Sequence, residues 1–343
     1  MIRIDGSYGE GGGQILRTAL ALSAILGKPV EVYDIRAGRK NPGLQAQHLC
    51  AVKALAQISG AKVEGAEPGS QSLRFIPGSL RGADYLFEVG TAGAVSLVFQ
   101  AIVLPLAFAD APARVTLRGG THVPWSPPFH YLDEVFLPLA AGMGLKGALK
   151  LIRWGFYPKG GGEILVEVHP SPQLRSINLE ERGALLGIRG FSAVANLPWS
   201  IAERQRSQVL SRLSAEGLRV QVEMITALSP GQGSCVFLLA EFENARSGFS
   251  GLGERGRPAE KVADEAALAL LAFLNSGAAV DPHLADQLLL PMALAEGRSI
   301  LTTSRLSQHL LTNVWLIQQF LPVPIDVEGE EGGPGRVVVE GRR

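Results

Sequence analysis

His309 follows a short β-branched run, Ile300-Leu301-Thr302-Thr303, and stands close to the start of the helical pattern Ser307 to Phe320, with Ser304 placed to cap it. The positive end of a helix dipole disfavours the imidazolium form by about 0.3 to 1 kcal/mol. A neutral imidazole there is a usable nucleophile, although a lone histidine is more often a half-buried hydrogen-bonding residue. Glu10 precedes three glycines, Gly11 to Gly13, a backbone that lets a ligand approach closely and turns N–H groups toward anions. A carboxylate beside such a turn can hold the magnesium of a nucleotide, and the plain alternative is a steric turn. Arg17, Arg36 and Arg39 lie near glycine-rich turns in the first forty residues. Their planar guanidinium groups match phosphate oxygens, so facing one pocket they would form an anion clamp; otherwise they are solvated surface charges.

Other residues offer ambiguous chemistry. Gln47 and His48 fall on successive helix positions and cannot fully share a face, so one is expected in the core and the other free to function. Asp286-Gln287 sits near the start of an apolar helix, where an acid suits the dipole and could also hold a ribose hydroxyl. Trp125, Pro127-Pro128 and Tyr131 form a stiff aromatic turn that could flank a base or pack on the core. No Gly-Lys-Ser/Thr follows the glycines at 11–13, and the dinucleotide spacing is missing, so any nucleotide site is of another kind.

The elements that must position these residues are α and β, with glycine at nearly every junction. Helical periodicity runs through Gln14 to Leu26 and Leu44 to Ser59, flanked by the strand-like Val30 to Ile35 and Arg114 to Leu117. The apolar run Gly93 to Ala109 contains Ser96, Gln100 and Pro105 and stops at Asp110, which favours a buried helix over a membrane span. Gly-rich turns recur ahead of elements at 10–13, 90–93 and 158–162, a loose sign of a repeated supersecondary unit. After His169-Pro-Ser-Pro172 the composition shifts. The order strand, helix, two strands and helix (Leu185–Val194, Ile201–Glu216, Leu218–Ile225, Cys235–Phe242, Pro258–Asn275) then reads as a compact βαββα insertion. The expected organisation is one discontinuous domain, 1–180 with 276–343, interrupted by a small α/β domain at 181–275.

Bulk properties narrow the function. Lys and Arg number 32 against 32 Asp and Glu, so no net positive field holds a long polyanion, and a nucleic-acid partner must be gripped locally. The two cysteines, Cys50 and Cys235, lack metal-ligand spacing and are expected as core thiols of a reduced protein. Met1 to Gly6 does not read as a signal peptide, and the expected location is cytoplasmic with no membrane partner.

Taken in order, five strings resemble the RNA 3'-terminal phosphate cyclases over essentially the whole length: Glu10-Gly-Gly-Gly-Gln-Ile-Leu-Arg17, Ile35-Arg-Ala-Gly-Arg39 with Gln47-His48, Arg153-Trp-Gly-Phe-Tyr-Pro-Lys-Gly-Gly-Gly162, Ala285-Asp-Gln-Leu-Leu-Leu-Pro-Met292, and Thr302 to Asn313. The resemblance implies an α/β (α+β) fold: a large domain of three repeated βαβαββ-type units, similar to enolpyruvyl transferases, with a small thioredoxin-like inserted domain. It also implies ATP with Mg2+ or Mn2+ as cofactors, RNA 3'-phosphate ends as partner, and conversion of the terminal phosphate to a 2',3'-cyclic phosphate through histidine-AMP and RNA-adenylate intermediates. His309 matches the nucleophile and Glu10 the metal-binding carboxylate. Arg17, Arg36, Arg39, Gln47 and His48 match the RNA-phosphate positions. Gln100 and Gln287 would face the nucleotide phosphates, Asp286 the ribose, and Pro127 with Tyr131 the adenine. His283 stands where the family has a tyrosine-like aromatic, and imidazole can still stack. The alternative is a catalytically silent RNA-processing or ribosome-biogenesis factor of the same fold. A homodimer is one option for the oligomeric state, which the sequence leaves open.

Overall fold

The computed structural model of the protein describes residues 1–342. The first unit runs β1 (Ile2–Asp5), α1 (Gly13–Leu26), β2 (Val30–Tyr33), α2 (Ala46–Ser59), β3 (Lys62–Glu64) and β4 (Leu73–Ile76), with sheet order β1-β2-β4-β3. The second runs β5 (Asp84–Glu88), α3 (Val95–Ala107), β6 (Ala113–Gly119), then α4 (Phe129–Tyr131), which continues through a π turn (Leu132–Phe136) into α5 (Leu137–Gly142), and ends in β7 (Lys146–Arg153) and β8 (Gly162–His169). Its sheet order, β5-β6-β8-β7, repeats the first.

The third unit opens with the short β9 (Asn178–Leu179) and is then interrupted by β10 (Leu185–Ala195), α6 (Trp199–Ala215), β11 (Gln221–Thr226), β12 (Gly233–Phe242), β13 (Arg246–Leu252) and α7 (Ala259–Ser276). It resumes with α8 (Pro282–Leu294), β14 (Arg298–Thr303), α9 (Gln308–Phe320), β15 (Ile325–Gly329) and β16 (Gly335–Glu340), in sheet order β15-β16-β14-β9. In every unit the first two strands pair in parallel and the rest antiparallel. The chain is therefore three βαβαββ units. Because a parallel pair needs a crossover, each unit places its strand-to-helix turns at the same end of its sheet.

The interruption contains one strand more than the expected βαββα order. Arg246-Ser-Gly-Phe-Ser-Gly-Leu252 is too rich in glycine and serine to read as a strand, yet it pairs with β12 over seven positions. The sheet β11-β10-β12-β13 is apolar on both faces. Val236, Leu238 and Ala240 join Val209, Leu213, Leu270 and Phe273 beneath α6 and α7, whereas the alternate Cys235, Phe237 and Leu239 join the core of the three units. Both cysteines are buried, and loss of hydration raises the Cys50 thiol to about 11. No helix among the described residues is long and apolar enough to cross a membrane.

Candidate active site

The β1–α1 turn docks on α9. Asp5 Oδ1 accepts hydrogen bonds from the Ser7 amide (2.8 Å) and hydroxyl (2.6 Å), and the Gly11 amide donates to Tyr8 O (2.9 Å). Tyr8 stacks on Trp315 with ring centroids 3.9 Å apart. Gly9, at φ +58°, lies so close to Thr312 that a Cβ would strike its hydroxyl. These contacts bring Glu10 to the first turn of α9. Ser307, not Ser304, caps that helix: its Oγ accepts from the Leu310 amide at 3.1 Å, which makes His309 the second helical residue.

His309 Nδ1 lies 3.0 Å from Glu10 Oε2, but off the line of a ring N–H, so the pair is in contact without a formed hydrogen bond. The nitrogen is sealed from solvent while the side chain as a whole stays 44% exposed, so the opposite ring edge, with Nε2, is the accessible one. The same Glu10 oxygen is 3.3 Å from Arg39 Nη2.

Behind His309 a polar network joins three helices. Gln14 Nε2 donates to Asp286 Oδ1 (2.8 Å) and to the His309 carbonyl (2.9 Å), Asn313 Nδ2 donates to Asp286 Oδ1 (2.6 Å), and the Thr18 hydroxyl donates to Asn313 Oδ1 (3.1 Å). Both protein bonds to the Asp286 carboxylate use Oδ1. Burial raises the Asp286 carboxyl above its ordinary range, opposed by His309, the Asn313 bond, His283 and Arg17. Burial likewise lowers Arg17 to about 10, with Asp286 opposing.

The expected phosphate set divides. Arg17, His48 and Arg39 converge on the bare backbone of Gly12 and Gly13: a Cβ on Gly13 would fall 2.5 Å from His48 Cδ2 and 3.1 Å from Arg17 Nη1, and one on Gly12 would fall 3.3 Å from Arg39 Nη2. His48 is 4% exposed and accepts from the Gln45 amide at Nδ1 (3.1 Å). Burial, then Arg17 and Arg36, push it down to about 3, so it is a neutral imidazole at physiological pH. Arg36 is only partly available, because its Nη1 donates to the carbonyls of Asn41 (2.6 Å) and Gly43 (2.9 Å) and thereby staples its own loop. Gln47 Oε1 accepts from the Ala94 amide (3.1 Å), tying the first unit to the start of α3.

Tyr131 departs from expectation. It is 4% exposed and its hydroxyl donates to Asp281 Oδ1 (2.7 Å), the cap of α8, so it supports that helix from below and offers no face to a base. The proline turn ahead of it suits a surface position, but the short α4 turns the ring into the core. Pro127 is half-buried, His283 is exposed on the first turn of α8, and Gln100 is half-buried on α3, one turn beyond Ser96, whose buried hydroxyl has no partner.

Two observations bear on a nucleotide. Gln287 Oε1, on the second turn of α8, and His309 Nδ1, on the first turn of α9, are buried without hydrogen-bond partners. Among the described residues no cluster of three or more His, Cys, Asp or Glu side chains forms a metal cage. A lone Glu10 fits a magnesium that arrives on phosphates and keeps most of its waters. Sequence reasoning passed over the roles of Gln14, Thr18 and Asn313. Their signal was helical spacing: Gln14, Arg17 and Thr18 share a face of α1, and Asn313 stands one turn beyond His309.

A family model described as RNA 3'-terminal phosphate cyclase matches residues 8–327. The RNA 3'-terminal phosphate cyclase of Ralstonia nicotianae is 49% identical over 96% of this chain and 94% of its own length. That of Methylococcus capsulatus is 46% identical over 99% and 97%, and that of Pyrobaculum aerophilum 46% identical over 99% and 98%. Among solved structures, the enolpyruvyl transferase NikO from Streptomyces tendae aligns with 11% identity and a TM-score of 0.39 over 99% of this chain and 48% of that one, a likeness that carries no weight beside the repeat topology itself. With the match spanning nearly every residue and the glycine turn, arginines and histidine brought to one place, the chain belongs to the RNA 3'-terminal phosphate cyclase family.

Proposed function

We propose that this chain uses ATP to close an RNA 3'-phosphate onto the neighbouring 2'-hydroxyl, with AMP carried on His309. The observation that carries the reading is the His309 ring, buried at Nδ1 against Glu10 and open at its other edge. Nε2 attacks the α-phosphorus of ATP and pyrophosphate leaves. A 3'-phosphate oxygen of the RNA then displaces the imidazole, forming a phosphoanhydride to AMP. The 2'-oxygen finally attacks the 3'-phosphorus, AMP leaves, and the hydroxyl proton passes to solvent. A phosphomonoester dianion lacks a good leaving group and the anhydride supplies one, while the vicinal hydroxyl acts at high effective molarity.

Glu10 would hold the magnesium or manganese of the nucleotide, which supplies charge neutralisation on the phosphates. Gln287 and Gln100 would face the phosphate oxygens, the uncommitted Oδ2 of Asp286 a ribose hydroxyl, and Pro127 with His283 the adenine. Arg17, Arg39 and neutral His48 would receive the RNA terminal phosphate, and Arg36 and Gln47 would hold their loops in register. We assign the enzyme to the cytoplasm. Incubation with ATP labelled at the α-phosphate should leave label on the denatured protein, released by acid and retained in mild alkali. An unlabelled protein that nonetheless remodels RNA particles would favour the silent RNA-processing reading.

A further inference from the structure

The loop Arg153 to Gly162 has no role in the chemistry above, yet it is built with care. Its Gly160 and Gly161 lie at φ +63° and +69°. A Cβ on Gly160 would fall 2.7 Å from Ala92 Cα, and one on Gly161 would fall 2.8 Å from Pro230 Cγ, so the loop is clamped between the β5–α3 turn and the β11–β12 turn of the inserted sheet. The Trp154 amide donates to the Leu228 carbonyl (2.9 Å), and Asn196 Nδ2 holds the same turn through the carbonyls of Ser229 (2.8 Å) and Gly231 (2.9 Å).

Between this loop and the β5–α3 turn lies a cavity of about 180 Å³ lined by Arg118, Arg153, Lys159, Glu88 and the backbone of Gly90, Thr91 and Gly161. That is room for about six waters, enough for a hydrated phosphate group. The charges form a row across the sheet: Glu88 pairs in register with Arg118, Arg118 with Glu163, and Glu163 with Arg153. Glu163 binds Arg118 through Nε only (2.7 Å), and Arg153 uses Nε for the Gly161 carbonyl (2.7 Å). The Nη groups of both arginines are thus left over. Lys159 forms no ion pair or side-chain hydrogen bond among the described residues, and the amides of Gly90, Thr91 and Gly161 donate to no protein acceptor there. Glu88 and Glu163 against Arg118, Arg153 and Lys159 leave one net positive charge.

The position is informative as well. The β5–α3 turn occupies in the second unit the place that the Glu10 turn occupies in the first. Thr91 is three residues from Ala94, whose amide binds Gln47, so the cavity lies within about 11 Å of chain from the residue that links it to the phosphate set.

We propose that this cavity binds a backbone phosphodiester of the RNA strand a few nucleotides upstream of the 3'-phosphate, with Lys159 and the free Nη groups of Arg153 and Arg118 as its cations. The proposal rests on the RNA reading above and assigns the 153–162 loop to holding the body of the substrate. A chain without net charge needs such local grips, because no general field retains the strand.

The test compares the full-length protein with Lys159→Glu and Lys159→Arg on 3'-phosphorylated RNAs of increasing length, including a dinucleotide too short to reach the cavity. For long RNA, Lys159→Glu should raise KM several-fold with kcat unchanged and flatten the salt dependence by about 0.7, the share of one phosphate on a single strand. Lys159→Arg should behave as the parent. Labelling by ATP and turnover of the dinucleotide should be the same in all three proteins. One uncharged methylphosphonate linkage, moved stepwise from the 3' end, should at a single position give the parent protein the KM of Lys159→Glu and leave that variant unaffected. Equal impairment of short and long RNA, or an unchanged KM for both, would overturn the subsite. Failure of the parent protein itself to cyclise any RNA would instead contradict the proposed function.

Discussion

Gly13→Ala isolates the contact on which the phosphate pocket depends. Position 13 is the first residue of α1 and has no left-handed φ, so alanine is conformationally acceptable and would ordinarily gain up to about 1 kcal/mol in a helix. The obstacle is space. The new Cβ would fall 2.5 Å from His48 Cδ2 and closer still to Nε2, and His48 cannot swing away freely because it is 4% exposed and bonded to the Gln45 amide. Overpacking of this kind costs about 1–3 kcal/mol, and a lost hydrogen bond at the start of α2 adds about 1. The net expectation is a loss of about 1–3 kcal/mol by urea unfolding. Displacement of His48 and Arg17 should also reduce AMP transfer to RNA at least tenfold while label from ATP still reaches the protein, because neither side chain is hydrogen-bonded to His309 or Glu10. Gly142→Ala is the matched control: it lies at the end of α5 with nothing within 4 Å of a new Cβ, and should be neutral or slightly stabilising. If Gly13→Ala proved as stable as Gly142→Ala and transferred AMP normally, the packed Gly13–His48–Arg17 arrangement would be refuted.

Acid should destabilise the fold well before most carboxylates matter. His48 is lowered to about 3 and His130 to about 4, both first by burial, and burial also holds His122 well below its ordinary range, whereas an unfolded histidine titrates near 6.5. The unfolded chain therefore binds more protons below about 6.5, so stability rises with pH across this window and is lost as pH falls toward 4. Asp286, raised by burial, works in the opposite direction, and a stability that stayed flat from pH 7 to 4.5 by calorimetry would contradict the buried neutral histidines. We further propose 181–275 as a unit folding on its own Val236–Leu238–Leu270–Phe273 core and closed at its two ends by Arg182, which donates to the carbonyls of Phe273, Leu274 and Ala278. Produced alone, it should unfold cooperatively but bind hydrophobic dye through the uncovered Phe237–Leu239 face, and dye-free behaviour would contradict the two-faced sheet. In the whole chain, protease should cut at 254–257 before it reaches Ser171, which is buried and donates its amide to Ala107.

Much of this was legible in the sequence, for identifiable reasons. Apolar residues recurring at steps of three and four marked α1, α2 and α9 within a residue or two of their ends. The glycine turns at 10–13 and 90–93 open the first helices of two of the repeated units, whereas that at 158–162 joins β7 to β8 within the second, and the number of units came from the family resemblance. The strand Arg246–Leu252 escaped because pairing with β12, not intrinsic propensity, makes it a strand. The resemblance assigned Tyr131 and Arg36 to ligands where residue type left the choice open, and tertiary placement puts the first under α8 and the second across its own loop. The contacts of Gln14 with Asp286 and of Tyr8 with Trp315 join residues more than 270 positions apart, a distance no local pattern can report.

The central claim is that His309 carries AMP, and the variant His309→Asn tests it most directly. It should keep its fold, show no label from α-labelled ATP and fail on ordinary 3'-phosphate RNA, yet still cyclise RNA supplied already adenylated at its 3'-phosphate, since that last displacement needs positioning and not the imidazole. A His309→Asn protein that still trapped AMP in an acid-labile bond would contradict the account and place the nucleophile elsewhere.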